Sequence, residues 1–249
     1  MKIAVCIRRV PDTTAKIAIG PSGATIDPAG VKFVLNPYDE FAVEAAIALK
    51  EAAGAGETVA VAFGDDSVQE TLRTTLAMGI DRAMHLQGAP STDGLANARV
   101  IAAALKDGGY DLILFGKLAV DDYAQQTGPM VAELLDLPCA TAVTSLTIDG
   151  GSATVEREIE GGTENASCAL PAVFTCDKGL NNPRLPSLKG IMAAKKKPLD
   201  VTPVTVGDAQ STLVGLALPP ERPAGRIVGE GAAAVPALIE ALTSEAKVL

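Results

Sequence analysis

The chain has 249 residues, of which 48% are hydrophobic and 3% aromatic, enough for one large core or for a core with an appendage. Its formal net charge of −9 repels nucleic acid and anionic membrane surfaces, so we expect neither as a general partner. No apolar stretch approaches the roughly 20 residues that a membrane span needs. The start, MKIAVCIRRV, has a strand pattern rather than that of a signal or transit peptide, which predicts a cytoplasmic protein without membrane insertion.

The first half of the chain alternates predicted strands and helices. Apolar patterns preceded by polar residues predict helices that begin at Asn36 and at Ser67, a third over about 92–105 and a fourth over about 122–135. Four apolar runs have the length of strands: KIAVCI (2–7), ETVAVAF (57–63), RAMHLQ (82–87) and YDLILFG (110–116). This alternation predicts an α/β fold with a Rossmann-like, mostly parallel sheet covered by helices on both faces.

The rhythm changes after about residue 140. Four strand-like runs separated by Gly-rich turns predict an antiparallel extension of the sheet: TAVTSLTI, SATVEREI, ENASCAL and AVFTC. Beyond Lys197, prolines and glycines such as those in LALPPERPAGRIVGEG leave too little apolar periodicity for a separate core. We therefore expect an α/β domain over residues 1–193 and an extended C-terminal arm with a short helix over residues 194–249, packed on a partner.

Cysteines and histidine give no sign of a metal site or a catalytic centre. The single histidine, His85, lies in a strand pattern and is expected to be partly buried, so no catalytic residue is predicted. The adjacent carboxylates of Asp121 and Asp122 point apart in either a strand or a helix and cannot enclose a cation alone. The four cysteines have apolar neighbours and no CxxC spacing, which predicts buried free thiols: Cys6, Cys139, Cys168 and Cys176.

A polar seam, FGKLAVDDYAQQTGP at 115–129, separates a predicted strand from a predicted helix. In an open parallel sheet, ligands bind where the strands end, and three loops follow such ends: 8–14, 64–67 and 116–127. Backbone N–H groups of residues 125–128 near a helix start suit a phosphate, although a well-capped, solvated loop explains the pattern equally. The chain contains neither GxGxxG nor a P-loop motif, so a standard dinucleotide or P-loop site has no support.

A second informative stretch is LNNPRLPSLKGIMAAKKKPL, residues 180–199. Two prolines stiffen it, and its apolar residues predict a docking loop over residues 180–194 for another protein. In the alternative, the leucines pack back on the core and Lys195–Lys197 are solvated. The residues expected to dock are Leu185, Leu188, Ile191 and Met192.

Five motifs carry a family resemblance: NPYDEFAVEAAIALKE, TLRTTLAMGIDRA, GKLAVDDYAQQTG, VEREIEGGTE and LNNPRLPSLKGIMAAKKKPL. In this order and spacing the chain, from Met1 to about Leu199, resembles the beta subunits of electron transfer flavoproteins. The resemblance implies an adenine-nucleotide-binding domain in a heterodimer with an alpha subunit. The alpha subunit would hold most of an FAD, the beta subunit would bind AMP, and the complex would carry electrons from flavin-dependent, acyl-CoA-type dehydrogenases of fatty acid oxidation to a quinone oxidoreductase.

The same resemblance implies particular site residues. Leu188 matches the family's anchor leucine in the docking loop, and Tyr38 matches an aromatic residue near the flavin. The implied cofactor-binding residues are Cys6, Asn36, Pro37, Tyr38, Asp39, Phe63, Gly116, Lys117, Leu118, Ala119, Val120, Asp121, Asp122, Tyr123, Ala124, Gln125, Gln126 and Thr127.

Three other functions stay open on the sequence. In the electron-bifurcating branch a second FAD replaces AMP and accepts hydride from NADH; VPDTT and PSLKGIM resemble that branch, whereas VEREIEGGTE, LNNPRL and Thr127 resemble the AMP branch. A nucleotide-binding stress protein or hydrolase of similar topology is a more distant alternative. The last is a structural subunit whose pocket holds no nucleotide.

Overall fold

The computed structural model describes residues 1–221 and 224–249, which fall into two compact units, Met1–Gly215 and Leu216–Leu249. The strands of the first unit are β1 (Lys2–Ile7), β2 (Arg9–Pro11), β3 (Phe33–Leu35), β4 (Glu57–Gly64), β5 (Arg82–Gln87), β6 (Leu112–Gly116), β7 (Cys139–Asp149), β8 (Ser152–Ile159), β9 (Gly162–Ala169), β10 (Ala172–Cys176) and β11 (Leu199–Pro203). Its helices are α1 (Pro37–Ala53), α2 (Val68–Met78), α3 (Gly94–Leu105), α4 (Thr127–Leu135) and α5 (Leu188–Ala194).

A nine-stranded sheet forms the centre of the first unit, in the order β11-β5-β4-β1-β6-β10-β7-β8-β9. Pairing is parallel from β11 through to β7 and antiparallel from β7 to β9. The chain adds β4 and β5 on one side of β1 and then crosses to β6 on the other. The strand order therefore reverses beside β1, and the prediction of a mostly parallel α/β sheet with an antiparallel extension is confirmed.

Two apolar layers cover the sheet. Alternate residues of β1 divide between them, because successive side chains of a strand point to opposite faces. Ile3 and Val5 join the layer that includes residues of α1 and α2, and Ala4 and Cys6 join the layer that includes residues of α3 and α4. Each face of the sheet thus has its own core, and the polar residues that follow the strands lie at the strand ends.

The prediction that AVFTC belongs to the antiparallel set was wrong. This segment is β10, which lies between β6 and β7 and pairs with both in parallel. All five of its residues are buried, as is typical of an interior parallel strand, whereas β8 exposes one face and β9 is largely exposed on both. Because β10 follows hairpin strands along the chain, the sequence suggested that it pairs with them. Its uniform burial instead requires a position in the interior of the sheet.

The first unit extends past the predicted boundary at residue 193. Residues 199–203, expected in the arm, form β11 and pair with β5 at the edge of the sheet. The second unit contains a 3-10 turn (Ala232–Ala234), α6 (Val235–Glu240) and a π-helical turn (Ala241–Glu245), and none of its described residues is buried. No helix in the described parts of the chain has the length and apolar character needed to cross a bilayer.

Several local predictions also need correction. Helix α4 begins at Thr127 rather than near residue 122, because Tyr123 (φ 53°) and Gln125 (φ 56°) adopt left-handed conformations that a helix cannot include. His85 is fully buried rather than partly buried. Cys139, at the start of β7, is exposed, and Cys168, on the antiparallel edge strand β9, is half-buried; only Cys6 and Cys176 are buried.

Lys197, which the alternative interpretation of this stretch placed in a solvated run, instead caps helix α2. Its Nζ donates to the carbonyl oxygens of Leu76 (3.0 Å) and Ile80 (2.5 Å) near the C-terminal end of that helix. A lysine suits this place because the last carbonyls of a helix lack intrahelical partners and carry partial negative charge. Burial lowers the pKa of Lys197.

We expect Lys197→Ala to lower the free energy of unfolding by about 1–3 kcal/mol, because two buried carbonyls lose a charged donor. Urea titration followed by circular dichroism measures this change. Lys196→Ala is the matched control, since Lys196 is exposed, and it should shift stability by less than about 0.5 kcal/mol. Equal effects of the two substitutions would contradict the capping role.

Candidate functional site

A cleft of about 320 Å³ opens where β1, β4 and β6 end, beside the reversal of strand order. Such a position is where open α/β sheets bind ligands. Thirteen of the predicted cofactor-binding residues line it: Cys6, Asp39, Phe63, Gly116, Lys117, Leu118, Ala119, Asp121, Asp122, Ala124, Gln125, Gln126 and Thr127. The loop at 116–127 is therefore part of a concave surface.

The other five predicted residues lie outside the lining. Asn36 is fully buried at the start of α1, and Pro37 and Tyr38 form the first turn of that helix. Val120 contributes its backbone N–H to the Asn36 side chain, and Tyr123 is 61% exposed.

Sequence reasoning missed several lining residues. Arg8 and Arg9 follow β1 and belong to the predicted loop 8–14. Gly64, Asp65 and Ser67 belong to the predicted loop 64–67, and Val68 comes directly after it. The strand-end rule thus selected both loops without naming these residues as ligands. The third group comes from α3 and the segment before it, which no sequence signal connected with the cleft: Pro90, Ser91, Asn97 and Ile101.

Two buried polar side chains at the start of α1 connect the segments that form the cleft. Asp39 accepts hydrogen bonds from the backbone N–H of Arg8 (2.7 Å) and of Gly116 (3.1 Å), which lie at the ends of β1 and β6. Asn36 Nδ2 donates to Asp39 (2.9 Å) and to the carbonyl of Leu118 (2.8 Å), and its Oδ1 accepts from the N–H of Val120 (3.2 Å). Asn36 was predicted as a helix cap, yet its side chain bonds to the 116–127 loop instead.

Burial raises the pKa of Asp39 to about 7, although the N–H donors from Asn36, Arg8 and Gly116 each lower it. Desolvation outweighs the hydrogen bonds because the carboxylate is almost entirely removed from water. Burial also raises the pKa of the Cys6 thiol far above its ordinary value, so Cys6 is a neutral wall of the cleft rather than a nucleophile.

Most of the cationic side chains around the cleft already have carboxylate partners. Arg8 pairs with Asp121 (2.9 Å) and with Asp122 (2.5 Å), tying the middle of the 116–127 loop to the end of β1. Lys117 pairs with Asp177 at 2.7 Å, and this hydrogen bond raises the pKa of Lys117. These pairs leave little net positive charge in the loop itself.

Arg9 differs from these cations. Its guanidinium lies over the ring of Phe33, 4.2 Å from the centroid, and its Nε is buried without a hydrogen-bond partner. An unmatched buried donor is costly unless something satisfies it, so an anionic or polar ligand group in the cleft fits this position. No ion pair within the described residues involves Arg9.

Gly116 keeps the floor of the cleft narrow. A Cβ added at this position would collide with Asp39 Oδ1 and with the backbone of Tyr38, so only glycine lets β6 approach α1 this closely. The loop then passes through the left-handed residues Tyr123 and Gln125 before α4 begins at Thr127, where the first N–H groups of the helix border the cleft. The lining suits a ligand with an anionic end.

The described residues contain no group of three or more His, Cys, Asp or Glu side chains able to hold a metal ion. The lining of the cleft includes apolar side chains such as Phe63 and Ile101 and the side chain of Arg9, whose Nε has no hydrogen-bond partner among the described residues.

Comparisons with known proteins agree on one family. A family model described as "Electron transfer flavoprotein domain" matches residues 23–206. The chain is 41% identical to a Bacillus subtilis protein named electron transfer flavoprotein subunit beta, over 100% of both chains. The chain belongs to the electron transfer flavoprotein beta-subunit family. Proteins with the same name are 42% identical in Syntrophomonas wolfei (90% of this chain and 88% of the relative) and 41% identical in Mus musculus (90% and 91%).

In this member of the electron transfer flavoprotein family, the four residues predicted to dock are exposed. Leu185 is 90% exposed, Leu188 83%, Met192 72% and Ile191 46%. The alternative, in which the leucines pack back on the core, is therefore wrong for Leu185 and Leu188. The stretch is also more ordered than a plain loop, because α5 begins at Leu188 with its Ser187 cap.

We expect the stability of this electron transfer flavoprotein subunit to depend on pH through Asp39. Its folded pKa of about 7 exceeds its ordinary value of 3.8, so the bound proton contributes stability that is complete below pH 3.8 and is lost as the pH rises toward 7. Asp39→Asn cannot titrate. The difference in free energy of unfolding between wild type and variant should therefore fall by at most about 1.4 kcal/mol per pH unit over this window.

Urea titrations of both proteins at several pH values between 4.5 and 8 measure this difference. A constant difference across the whole range would contradict the raised pKa.

Proposed function

We propose that this chain is the beta subunit of a heterodimeric cytoplasmic electron carrier. In this function the complex takes electrons from flavin-dependent, acyl-CoA-type dehydrogenases and delivers them to a quinone oxidoreductase. The beta subunit binds AMP, helps to form the FAD interface and supplies the docking loop, residues 180–194. It is a carrier subunit without catalytic residues of its own, since the FAD supplies the redox chemistry when bound.

The cleft at the strand ends is the observation that carries the AMP proposal. The phosphate would be held by N–H groups at the start of α4, by Gln126 and Thr127, and by Arg9, whose Nε lacks a hydrogen-bond partner in the described part of the chain. The adenosine would lie along the apolar wall that includes Cys6 and Phe63. The cleft thus offers hydrogen-bond donors for the phosphate and apolar contacts for the adenosine of a mononucleotide.

The size of the cleft favours AMP over a second FAD. Small-molecule sites run from roughly 300 to 1,000 Å³, and this cleft, at about 320 Å³, is near the lower limit. A mononucleotide needs far less room than a dinucleotide with a flavin ring. The volume of the cleft within the first unit therefore supports a mononucleotide.

The second unit, Leu216–Leu249, is the part that we propose to pack on the alpha subunit. None of its described residues is buried, and it exposes several apolar side chains: Leu218, Ile227, Val235, Leu238, Ile239, Val248 and Leu249. Exposed apolar side chains on this scale are typical of a segment that is covered by another chain.

The complex of this chain with its alpha subunit should release one FAD and one AMP per heterodimer on denaturation, measured by chromatography of the released nucleotides. Gly116→Ala should reduce the AMP to well below half, because the added methyl group pushes Asp39 and the cleft floor apart. Gly151→Ala is the matched control, since a Cβ there meets nothing within 4 Å, and it should leave the AMP unchanged.

Two FAD and no AMP would replace the proposal with a bifurcating flavoprotein. FAD alone would support a subunit whose cleft holds no nucleotide. Hydrolysis of ATP by the isolated chain would favour the nucleotide-hydrolase alternative.

Leu188→Ala should weaken reduction of the complex by an acyl-CoA dehydrogenase, because a leucine filling a partner's pocket contributes about 1.5–3 kcal/mol. The apparent KM for the carrier should rise by roughly tenfold or more, with FAD content unchanged. Leu134→Ala removes a 41% exposed leucine from α4 and serves as the control. Electron transfer at the wild-type rate in Leu188→Ala would contradict the proposed docking role of this leucine.

A further inference from the structure

The docking loop is fastened to the body of the first unit chiefly at Arg184. The backbone N–H of Arg184 donates to Glu44 Oε2 (3.0 Å), its Nε to the same oxygen (2.8 Å) and its Nη2 to Glu44 Oε1 (2.8 Å). Nη1 and Nη2 also donate to Glu51 Oε1 (2.8 Å) and Oε2 (2.9 Å). All three side-chain nitrogens of the guanidinium are thus used on two carboxylates of α1.

The spacing of the two carboxylates makes this a specific arginine site. Glu44 and Glu51 are seven residues apart, so they lie about two turns apart on the same side of α1, and a planar fork of donors spans both. With Arg184 in place Glu44 is only 8% exposed, and within the described residues its carboxylate accepts hydrogen bonds from Arg184 alone. The hydrogen bonds that Arg184 donates to Glu51 and Glu44 raise the pKa of Arg184, so the guanidinium stays charged.

The exposed leucines lie between Arg184 and a second point of attachment, at α5. Upstream, Asn181 Nδ2 donates to the carbonyl of Phe41 on α1 at 2.9 Å. Downstream, α5 packs on α2 so closely that a Cβ on Gly190 would collide with the carbonyl of Ala77. Residues 185–188 are therefore a short span of chain held at both ends, although Leu185 and Leu188 themselves are almost fully exposed.

We propose that Arg184 is the positioning residue of the docking loop: its clamp on Glu44 and Glu51 holds Leu185 and Leu188 in the arrangement that a dehydrogenase binds. This inference rests on the proposed docking function. A loop that is ordered before binding loses less conformational entropy on docking. Without the clamp only a fraction of molecules would present the leucines correctly, and the apparent affinity would fall by that fraction.

The test uses the FAD-containing heterodimer as electron acceptor of a purified acyl-CoA dehydrogenase with its acyl-CoA substrate. Arg184→Ala and Leu188→Ala should each raise the apparent KM by roughly tenfold with kcat little changed, because the clamp affects docking rather than the flavin. In the double variant the KM should stay close to that of Leu188→Ala alone, since a clamp that acts through the leucine has nothing left to position.

Further variants and one structural readout separate positioning from general stability. Arg184→Lys keeps a charge beside Glu44 but cannot span both carboxylates, so it should fold and give an intermediate KM. Amide hydrogen exchange over residues 180–194 should speed up in both Arg184 variants, while the AMP and FAD contents stay at wild-type values. Arg82→Ala, which removes ion pairs with Glu57 (2.7 Å) and Asp200 (3.7 Å), is the matched control and should change neither KM nor loop exchange.

The outcomes distinguish this inference from the docking proposal. A raised KM in Leu188→Ala with wild-type kinetics in both Arg184 variants would overturn the clamp and leave docking intact. Additive effects in the double variant would show that Arg184 acts independently of Leu188 and would also overturn it. Wild-type kinetics in Leu188→Ala and in both Arg184 variants would contradict both the docking role and the positioning role.

Discussion

The pair of buried polar side chains at the start of α1 is the contact on which the cleft depends. Asp39 joins the ends of β1 and β6 by accepting one backbone N–H from each, and Asn36 joins both to the 116–127 loop. No hairpin joins the ends of neighbouring parallel strands. The loops that follow them therefore need side-chain hydrogen bonds such as these to keep a fixed shape. The hydrogen bond from the Gly116 N–H to Asp39 also holds the end of β6 in its close approach to α1.

Helix α1 connects the two regions to which we assign functions. Asp39 lies in its first turn, Glu44 one turn further and Glu51 near its end, about 18 Å along the axis from Asp39. The cleft is built on the first part of the helix, and the docking loop is fastened to the middle and last parts. Because a buried helix of this length moves as one body, the two regions share a single rigid support.

The sequence predicted those features that follow from local patterning. Alternating runs such as KIAVCI and YDLILFG located the strands, and their ends located the cleft, because side-chain period and strand direction are local properties. Exposed Leu185 and Leu188 were recognisable because prolines keep the loop from folding onto the core. Local patterning did not predict contacts with residues that lie far away along the chain. Nothing near Asp121 shows that Arg8, more than a hundred residues earlier, pairs with it.

Strand β10 shows the same limit at the scale of the fold. Its position between β6 and β7 is set by burial on both faces, whereas its neighbours in sequence are hairpin strands. Lys197 is similar, since a run of three lysines gives no sign that its last member reaches the end of α2. In each case the deciding partner is far away along the chain.

The central place of β10 also has a consequence for the growing polypeptide. On the ribosome, β6 and β7 are made well before the strand that joins them, so the meander of β7, β8 and β9 can fold as a separate hairpin unit while the edge of β6 stays open. Unpaired parallel edges attract other chains. Until residue 176 has left the exit tunnel, no strand joins β6 to β7, and the edge of β6 that β10 later covers is unpaired.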